Sequence, residues 1–409
     1  MKKPILGRQP FNLNATTESR SEKPLYTGRF LVIFDKKDDY RNVHSVLQSK
    51  AGLTIAHTSD FTYEEFDESK IEGADALIYD ELGIALVGGV NEQIRVLEAS
   101  RADYIVEPEK IVYVPEELHI AADTATTWGI DMMQVLESAY TGKGIKVAVL
   151  DTGFDVKHPD FAGRSITTNS FVPGESVDDA HGHGTHCIGS ACGNVDVAGQ
   201  RYGVAKDAEI FAGKVLSNEG SGAQAWILNG ITWAANSGCK VISMSLGSPT
   251  LPGQSYDAAY ERAAQFALSK GTVIVAAAGN ESQRSRNRFN PVGSPADCPS
   301  ILAVAALDAS LNVADFSNRG INPTAAVDIA GPGVNVYSSW PMPERYLSIS
   351  GTSMATPHVA GALALLWEKN PGATAQEIIA ELTTNVRVLS LPAMDVGSGL
   401  VQAPLEQLV

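Results

Sequence analysis

Cysteine is scarce: four residues (Cys187, Cys192, Cys239, Cys298) in a chain of 409. That excludes a disulfide scaffold, because four thiols allow at most two bridges and their spacing forces none. Long apolar runs are also missing. No stretch approaches the roughly eighteen apolar residues a membrane span needs. The start, MKKPILGRQPFNLNATTESR, is basic like a signal peptide, but Pro4, Gly7, Arg8 and Gln9 break up any apolar core. Basic excess is absent too: the formal net charge is -16, with no basic stripe, which argues against nucleic-acid binding. With no leader and few cysteines, the chain reads as cytoplasmic; the alternative is a secreted protein whose signal peptide is missing from this sequence. Low complexity is lacking as well. At 44% hydrophobic and 19% charged residues, the chain is globular and long enough for two domains.

What is present falls into three parts. Residues 1–26 are polar and aperiodic and read as a mobile tail. Residues 27–115 carry a β-α-β-β-α-β pattern. It comprises the strand RFLVIFD, a helical face of Tyr40, Val43 and Leu47, the strand LTIA, the hairpin ALIYDELGIALV, a helix over Asn91–Ser100, and a closing strand near Ile111–Val114. This ferredoxin-like α+β unit contains no histidine/cysteine cluster and no phosphate loop. Residues 116–127 read as a linker. From Trp128 to the end, at residue 409, near-continuous apolar runs (IKVAVL, EIFAGKVL, KVISMSLG, TVIVAAAGN, ILAVAAL) alternate with helical stretches. That alternation predicts a doubly wound, mostly parallel α/β sheet covered by helices on both faces. Ligands gather at the carboxyl ends of such strands, and here those ends read DTG, SLG and AGN.

The densest chemistry is HGHGTHC, His181–Cys187. Imidazole and thiolate are good zinc ligands, so a zinc hydrolase is one reading. Adjacent residues spaced by glycine seldom converge on one ion without distant partners, however. Asp151 follows a buried strand, where it is either a turn former or a carboxylate aimed at a site. Asn280 ends another strand, where an amide can donate to an oxyanion. Ser353 stands before an unusually apolar helix, either as a plain N-cap or as a nucleophile at a helix N-terminus.

Together, in the order Asp–His–Ser, these residues sit in the blocks DTGFD, HGHGTHCIG, SLGSP, AAAGN and SGTSMATPHVAG, which resemble the signature blocks of the subtilase family of serine peptidases over roughly Trp128–Leu408. The resemblance implies an endopeptidase that cuts peptide bonds through an acyl-enzyme, with no cofactor required for the chemistry. It gives Asp151 as the carboxylate orienting the base, His183 as the base, Ser353 as the nucleophile and Asn280 as the oxyanion donor. It implies that Gly220, Ser221 and Gly222, with Ser245, Leu246 and Gly247, flank an extended peptide. Ala278 and Gly279 would floor the primary pocket, with Glu281 at its rim. His186 reads as a packed structural histidine, His181 as a residue at the cleft edge, and Cys187 as a buried thiol beneath the site. A catalytically silent peptidase fold is the remaining rival.

By the same resemblance the front unit is an inhibitory pro-domain and the chain a self-cleaved zymogen, with the processing site in the 116–127 linker. Its expected partners are protein or peptide substrates and its own pro-domain, not nucleic acid or membrane. A structural calcium is implied at Asp160, with Asp196 as a second oxygen donor, though the loop length departs from the family pattern and no carbonyl ligands are assigned. Between Arg29 and Lys110 stand 17 acidic against 9 basic residues, a net of -8. The loop carrying Arg284, Arg286 and Arg288 is expected either to be solvated or to meet that acidic unit.

Overall fold

The protein is described from a computed structural model that covers residues 24–34, 40–61, 71, 73–88, 94–97, 104–115, 118–119 and 127–406. Most of the expected N-terminal tail and most of the 116–127 linker lie outside the described residues. Of the helix expected over 91–100, residues 94–97 are described, and they are helical with Ile94 and Leu97 buried.

The front unit is one antiparallel-rich sheet. Strand β1 (Tyr26–Phe34) is followed by helix α1 (Tyr40–Ala51), then β2 (Ile55–His57), β3 (Ala76–Tyr79), β4 (Ile84–Val87) and β5 (Tyr104–Tyr113), in the spatial order β5-β1-β4-β3-β2. Period-two alternation divides these strands between two cores. Val32, Phe34, Ile78 and Ala85 pack with Val43 and Leu47 of α1, while Leu31, Ile33, Leu77 and Leu86 join the large core of the rest of the chain. The open face of the sheet therefore rests on the second unit. The closing strand is longer than the sequence suggested. Pro108 lies within it opposite Phe30, beside a register shift in β1 between Tyr26 and Phe30. An irregularity there accommodates a proline that sequence reading treats as a strand breaker.

After β6 (Leu118–His119) and α2 (Trp128–Met132), the second unit forms a nine-stranded sheet. It contains β7 (Lys146–Asp151), β8 (Ile166–Ser170), helix α3 (His183–Cys192), β9 (Glu209–Lys214), a short β10 (Ser221–Ala223) that leaves this sheet, helix α4 (Gln224–Asn236), β11 (Val241–Met244), helix α5 (Ala258–Ser269), β12 (Val273–Ala277) and β13 (Leu302–Leu307). It continues with β14 (Ile329–Pro332), β15 (Val336–Ser339), β16 (Tyr346–Ser350), helix α6 (Thr352–Lys369), helix α7 (Ala375–Thr384), β17 (Val386–Arg387) and, near the end, β18 (Leu400–Val401). The sheet order is β17-β18-β14-β13-β12-β11-β7-β9-β8, all parallel except the β17–β18 pair. This is the doubly wound sheet the apolar runs predict. Strands β8 (ITTNS) and β14 (IAGP) escaped the sequence because one is polar and the other reads as a turn. Both are strands because an already formed parallel neighbour offers them a ladder. Among the described residues, no helix is long and apolar enough to cross a membrane.

Candidate active site

Asp151 is the last residue of β7, and His183 opens α3. The turn into α3 needs Gly182: its φ is +101°, and an added Cβ would lie 2.3 Å from the indole of Trp340. His183 then donates Nδ1–H to Asp151 Oδ1 at 2.6 Å, and the Thr152 N–H donates to the same oxygen at 2.7 Å. Both side chains are buried. Fixing the proton on Nδ1 leaves Nε2 as the basic nitrogen of the ring.

Ser353 lies in the first turn of α6 and is fully buried. Its hydroxyl donates to Ser245 O at 3.5 Å, a loose contact of the kind catalytic groups adopt before substrate arrives. Pro357 lies inside the same helix. It has no N–H to give to the carbonyl four residues back, so the Ser353 carbonyl must find other donors. It accepts from the Ser245 hydroxyl at 2.7 Å and from the Cys187 thiol at 3.6 Å. The proline thus ties the serine's backbone to the cleft strand and to the floor beneath.

Asn280 follows β12. Its Oδ1 accepts from the Thr352 N–H at 2.9 Å and from the Thr352 hydroxyl at 2.8 Å. This sets the amide so that Nδ2 lies on the Gly351 side, 3.1 Å from where a Cβ on that glycine would stand. The Thr352 hydroxyl also accepts from the Gly279 N–H at 3.1 Å.

The crowd in HGHGTHC disperses. His186 donates from Nε2 to Val336 O at 3.0 Å and to Leu347 O at 3.2 Å, and burial, with the charge on His183, pushes it down to about 3. It is a neutral packing residue. Cys187 lies beneath His183, its sulfur 3.9 Å from both ring nitrogens, and burial pushes the thiol up to about 11. Asp151, His183 and Cys187 do group closely enough to be tested as a metal site. A zinc ion would need that thiol ionised and His183 Nδ1 released from Asp151, and neither matches the donors here.

Two supports were not singled out in the sequence. Asp179 accepts from the Thr152 hydroxyl at 2.8 Å, the Gly182 N–H at 2.8 Å and the Thr185 N–H at 2.8 Å, and so holds the loop that enters α3. Thr352 orients Asn280. In sequence both look like ordinary turn and cap residues, and only their partners distinguish them.

The cleft strands also assemble. Ser221, Gly222 and Ala223 pair antiparallel with Tyr113, Val112 and Ile111, while Tyr113 and Gly247 exchange hydrogen bonds at 3.1 Å each way. Gly220 O accepts from the Val114 N–H at 2.9 Å. Leu246 and Ala278 are buried beside them. Glu281, at the exposed rim, accepts from Asn318 Nδ2 at 2.5 Å.

The calcium expectation does not fit the donors present. Asp160 accepts from the Tyr202 hydroxyl at 2.8 Å and the Tyr346 hydroxyl at 2.9 Å, and Asp196 accepts from the Tyr337 hydroxyl at 3.0 Å and from the N–H groups of Ala198 and Gln200. Proton donors take the lone pairs a hard cation would need. The arginine loop is likewise turned away from the front unit at its first member. Arg284 binds Asp395 at 2.5 Å, as does Arg319 at 2.6 Å.

A buried Asp–His pair beside a serine at a helix start, at the carboxyl ends of a parallel sheet, defines a serine hydrolase. The sequence model of the Subtilase family matches residues 142–399. An "Alkaline protease" of Alkalihalobacillus alcalophilus is 41% identical over 298 residues, covering 72% of this chain and 73% of its own. "Subtilisin Savinase" of Lederbergia lenta is 43% identical over 280 residues, 68% of this chain and 96% of its own. "Subtilisin E" of Bacillus subtilis (strain 168) is 38% identical over 319 residues, 76% and 79% respectively. The chain belongs to the subtilase family and is a subtilisin-like serine endopeptidase acting on protein substrates through an Asp–His–Ser triad, with no cofactor needed for the chemistry.

These relatives also correct the cytoplasmic reading, because they are secreted extracellular subtilisins and point to secretion. The scarcity of cysteine misled. All four are buried free thiols that need neither pairing nor a reducing compartment.

Proposed function

We propose that Asp151, His183 and Ser353 are this enzyme's triad and that Asn280, with the Ser353 N–H, is its oxyanion hole. In this reading His183 Nε2 takes the Ser353 proton as Oγ attacks the scissile carbonyl, and Asp151 stabilises the imidazolium that forms. Asn280 Nδ2 and the backbone donor hold the developing negative charge, a contribution of about 3–4 kcal/mol for one such donor. The observation that carries the assignment is the buried 2.6 Å bond from His183 to Asp151, with Cys187 Sγ spanning from the His183 ring at 3.9 Å to the Ser353 carbonyl at 3.6 Å. Gly220, Ser221, Gly222, Ser245, Leu246 and Gly247 bind the peptide by strand addition. Ala278, Gly279 and Glu281 form the primary pocket.

Residues 27–115 act as an inhibitory pro-domain, 116–127 as the linker that is cut, and 128–409 as the peptidase. Support comes from β5, whose last residues lie in the cleft strands as a substrate would. A fluorophosphonate probe tests the triad. It is expected to label Ser353 once the front unit is released, and the Ser353→Ala chain should stay unlabelled. Labelling elsewhere, or of both chains alike, would refute the assignment.

A further inference from the structure

One side chain of β5 is received by carboxylates of the second unit. The strand runs antiparallel to Ser221–Ala223, and Tyr113 exchanges hydrogen bonds with Gly247. Three residues before Tyr113, Lys110 places its Nζ 2.9 Å from Asp257 Oδ2. The backbone is met at the same point. The Lys110 N–H donates to Gln224 Oε1 at 3.2 Å, and Gln224 Nε2 donates to Asp257 Oδ1 at 2.8 Å. A single glutamine at the start of α4 therefore touches the bound strand and holds the carboxylate that meets its side chain.

The receiving side is built into the second unit. Asp257 caps α5, its Oδ1 accepting from the Ala259 and Tyr260 N–H groups at 3.1 Å each, while Oδ2 is turned to Lys110. Asp257 and Asp297 are both almost fully buried. Burial disfavours the Lys110 ammonium, yet the charges of Asp257, Asp297 and Glu107 outweigh it and hold the group above its ordinary pKa. Glu107 belongs to the front unit, whereas Asp257 and Asp297 belong to the second.

We infer that Asp257 and Asp297 form an acidic subsite of the cleft that selects a lysine or arginine in the substrate, five residues before the carbonyl that Ser353 attacks. This rests on the triad and strand-addition reading above. The register supplies the count. In an antiparallel ladder, Tyr113 opposite Gly247 puts position 115 opposite Ser245, whose carbonyl lies 3.5 Å from Ser353 Oγ. A substrate strand added in that register presents its attacked carbonyl there and its cationic residue where Lys110 stands. A neutral side chain would leave Asp257 Oδ2 without a charged partner. An acidic one would bring a further negative charge to two carboxylates already poorly solvated.

The test uses the full chain, incubated until it digests an added denatured protein. Acetylated peptides Xaa-Ile-Val-Tyr-Val-Leu, ending in a chromogenic amide, copy positions 110–114, with lysine, arginine, alanine or glutamate as Xaa. We expect kcat/KM about tenfold higher for lysine and arginine than for alanine, and lower still for glutamate. A fifth peptide, Ala-Lys-Val-Tyr-Val-Leu, moves the lysine to the other face of the strand, where it should gain nothing. In the Asp257→Asn chain, where asparagine still caps α5, the lysine-to-alanine ratio should fall to about one. Asp297→Asn leaves that cap untouched and should lower the ratio as well. Equal rates for lysine and alanine in wild type overturn the inference. So does a preference that Asp257→Asn leaves intact, or one that the displaced lysine shares, since either traces to the overall negative charge of the chain. A chain that never digests denatured protein counts instead against the triad, so the two failures are distinguishable.

Discussion

At the scale of single residues, the site depends on which atom each proton sits on. Asp151 uses one carboxylate oxygen to fix both His183 Nδ1–H and the Thr152 N–H. Asp151→Asn would keep the shape but offer an amide, which favours the wrong tautomer of His183. We expect kcat to fall by about 10⁴ while KM changes only a few-fold. Steady-state kinetics on a chromogenic peptide checks this, and a loss below tenfold would remove Asp151 from the triad. Cys187 lies within 4 Å of the His183 ring, and the burial that raises its pKa keeps it a thiol. Its removal should therefore act through packing, not through the chemistry.

At the scale of elements, the front unit is held by what its last strand offers to the start of α4. Glu109 of β5 is fully buried. It takes Arg29 at 2.5 Å and 2.9 Å and accepts the Ala225 N–H in the first turn of α4 at 3.0 Å. A carboxylate there meets unsatisfied N–H groups and the positive end of the helix dipole. Removing one member of a buried ion pair leaves the other uncompensated, at a cost of roughly 3–5 kcal/mol. In the Ser353→Ala chain, Glu109→Ala should make the front unit far more sensitive to an added, unrelated protease while residues 128–406 stay resistant. Unchanged resistance of the front unit would show that docking does not depend on this residue.

At the scale of the whole molecule, Glu107, Asp257 and Asp297 gather around Lys110 where the two units meet. Glu107 is pushed up to about 7 by burial and by the charge of Asp257, and Asp297 is also pushed up to about 7, chiefly by burial. Lys110, 2.9 Å from Asp257, is the cation beside them. Docking favours the protonated form of Glu107, which returns toward 4.5 when the unit separates. Docking is therefore strongest below about pH 4.5 and weakens as pH rises through 7, the reverse of a carboxylate stabilised by salt bridges. The Kd of a cut front fragment should rise with pH across that window, by at most about tenfold per unit. A titration from pH 5 to 8 measures it, and a flat profile would exclude this control.

The sequence by itself determined the periodicities and the chemistry-bearing blocks. Apolar runs too continuous to be half-exposed had to become a buried parallel sheet, and Asp151, His183, Asn280 and Ser353, ambiguous one by one, took their reading from short sequence blocks that occur together in a set order. Those signals are local, a matter of a few adjacent residues and their preferred backbone. Tertiary structure decided what depends on residues far apart in the chain meeting. Tyrosines 202, 337 and 346 come from distant segments to take up the carboxylates read as calcium ligands. Arg284 meets Asp395, a carboxylate 111 residues further along the chain that no local signal could pair with it. The three histidines of HGHGTHC parted because their distant partners differ: His181 precedes the helix, His183 meets Asp151, and the carbonyls of Val336 and Leu347 take up His186.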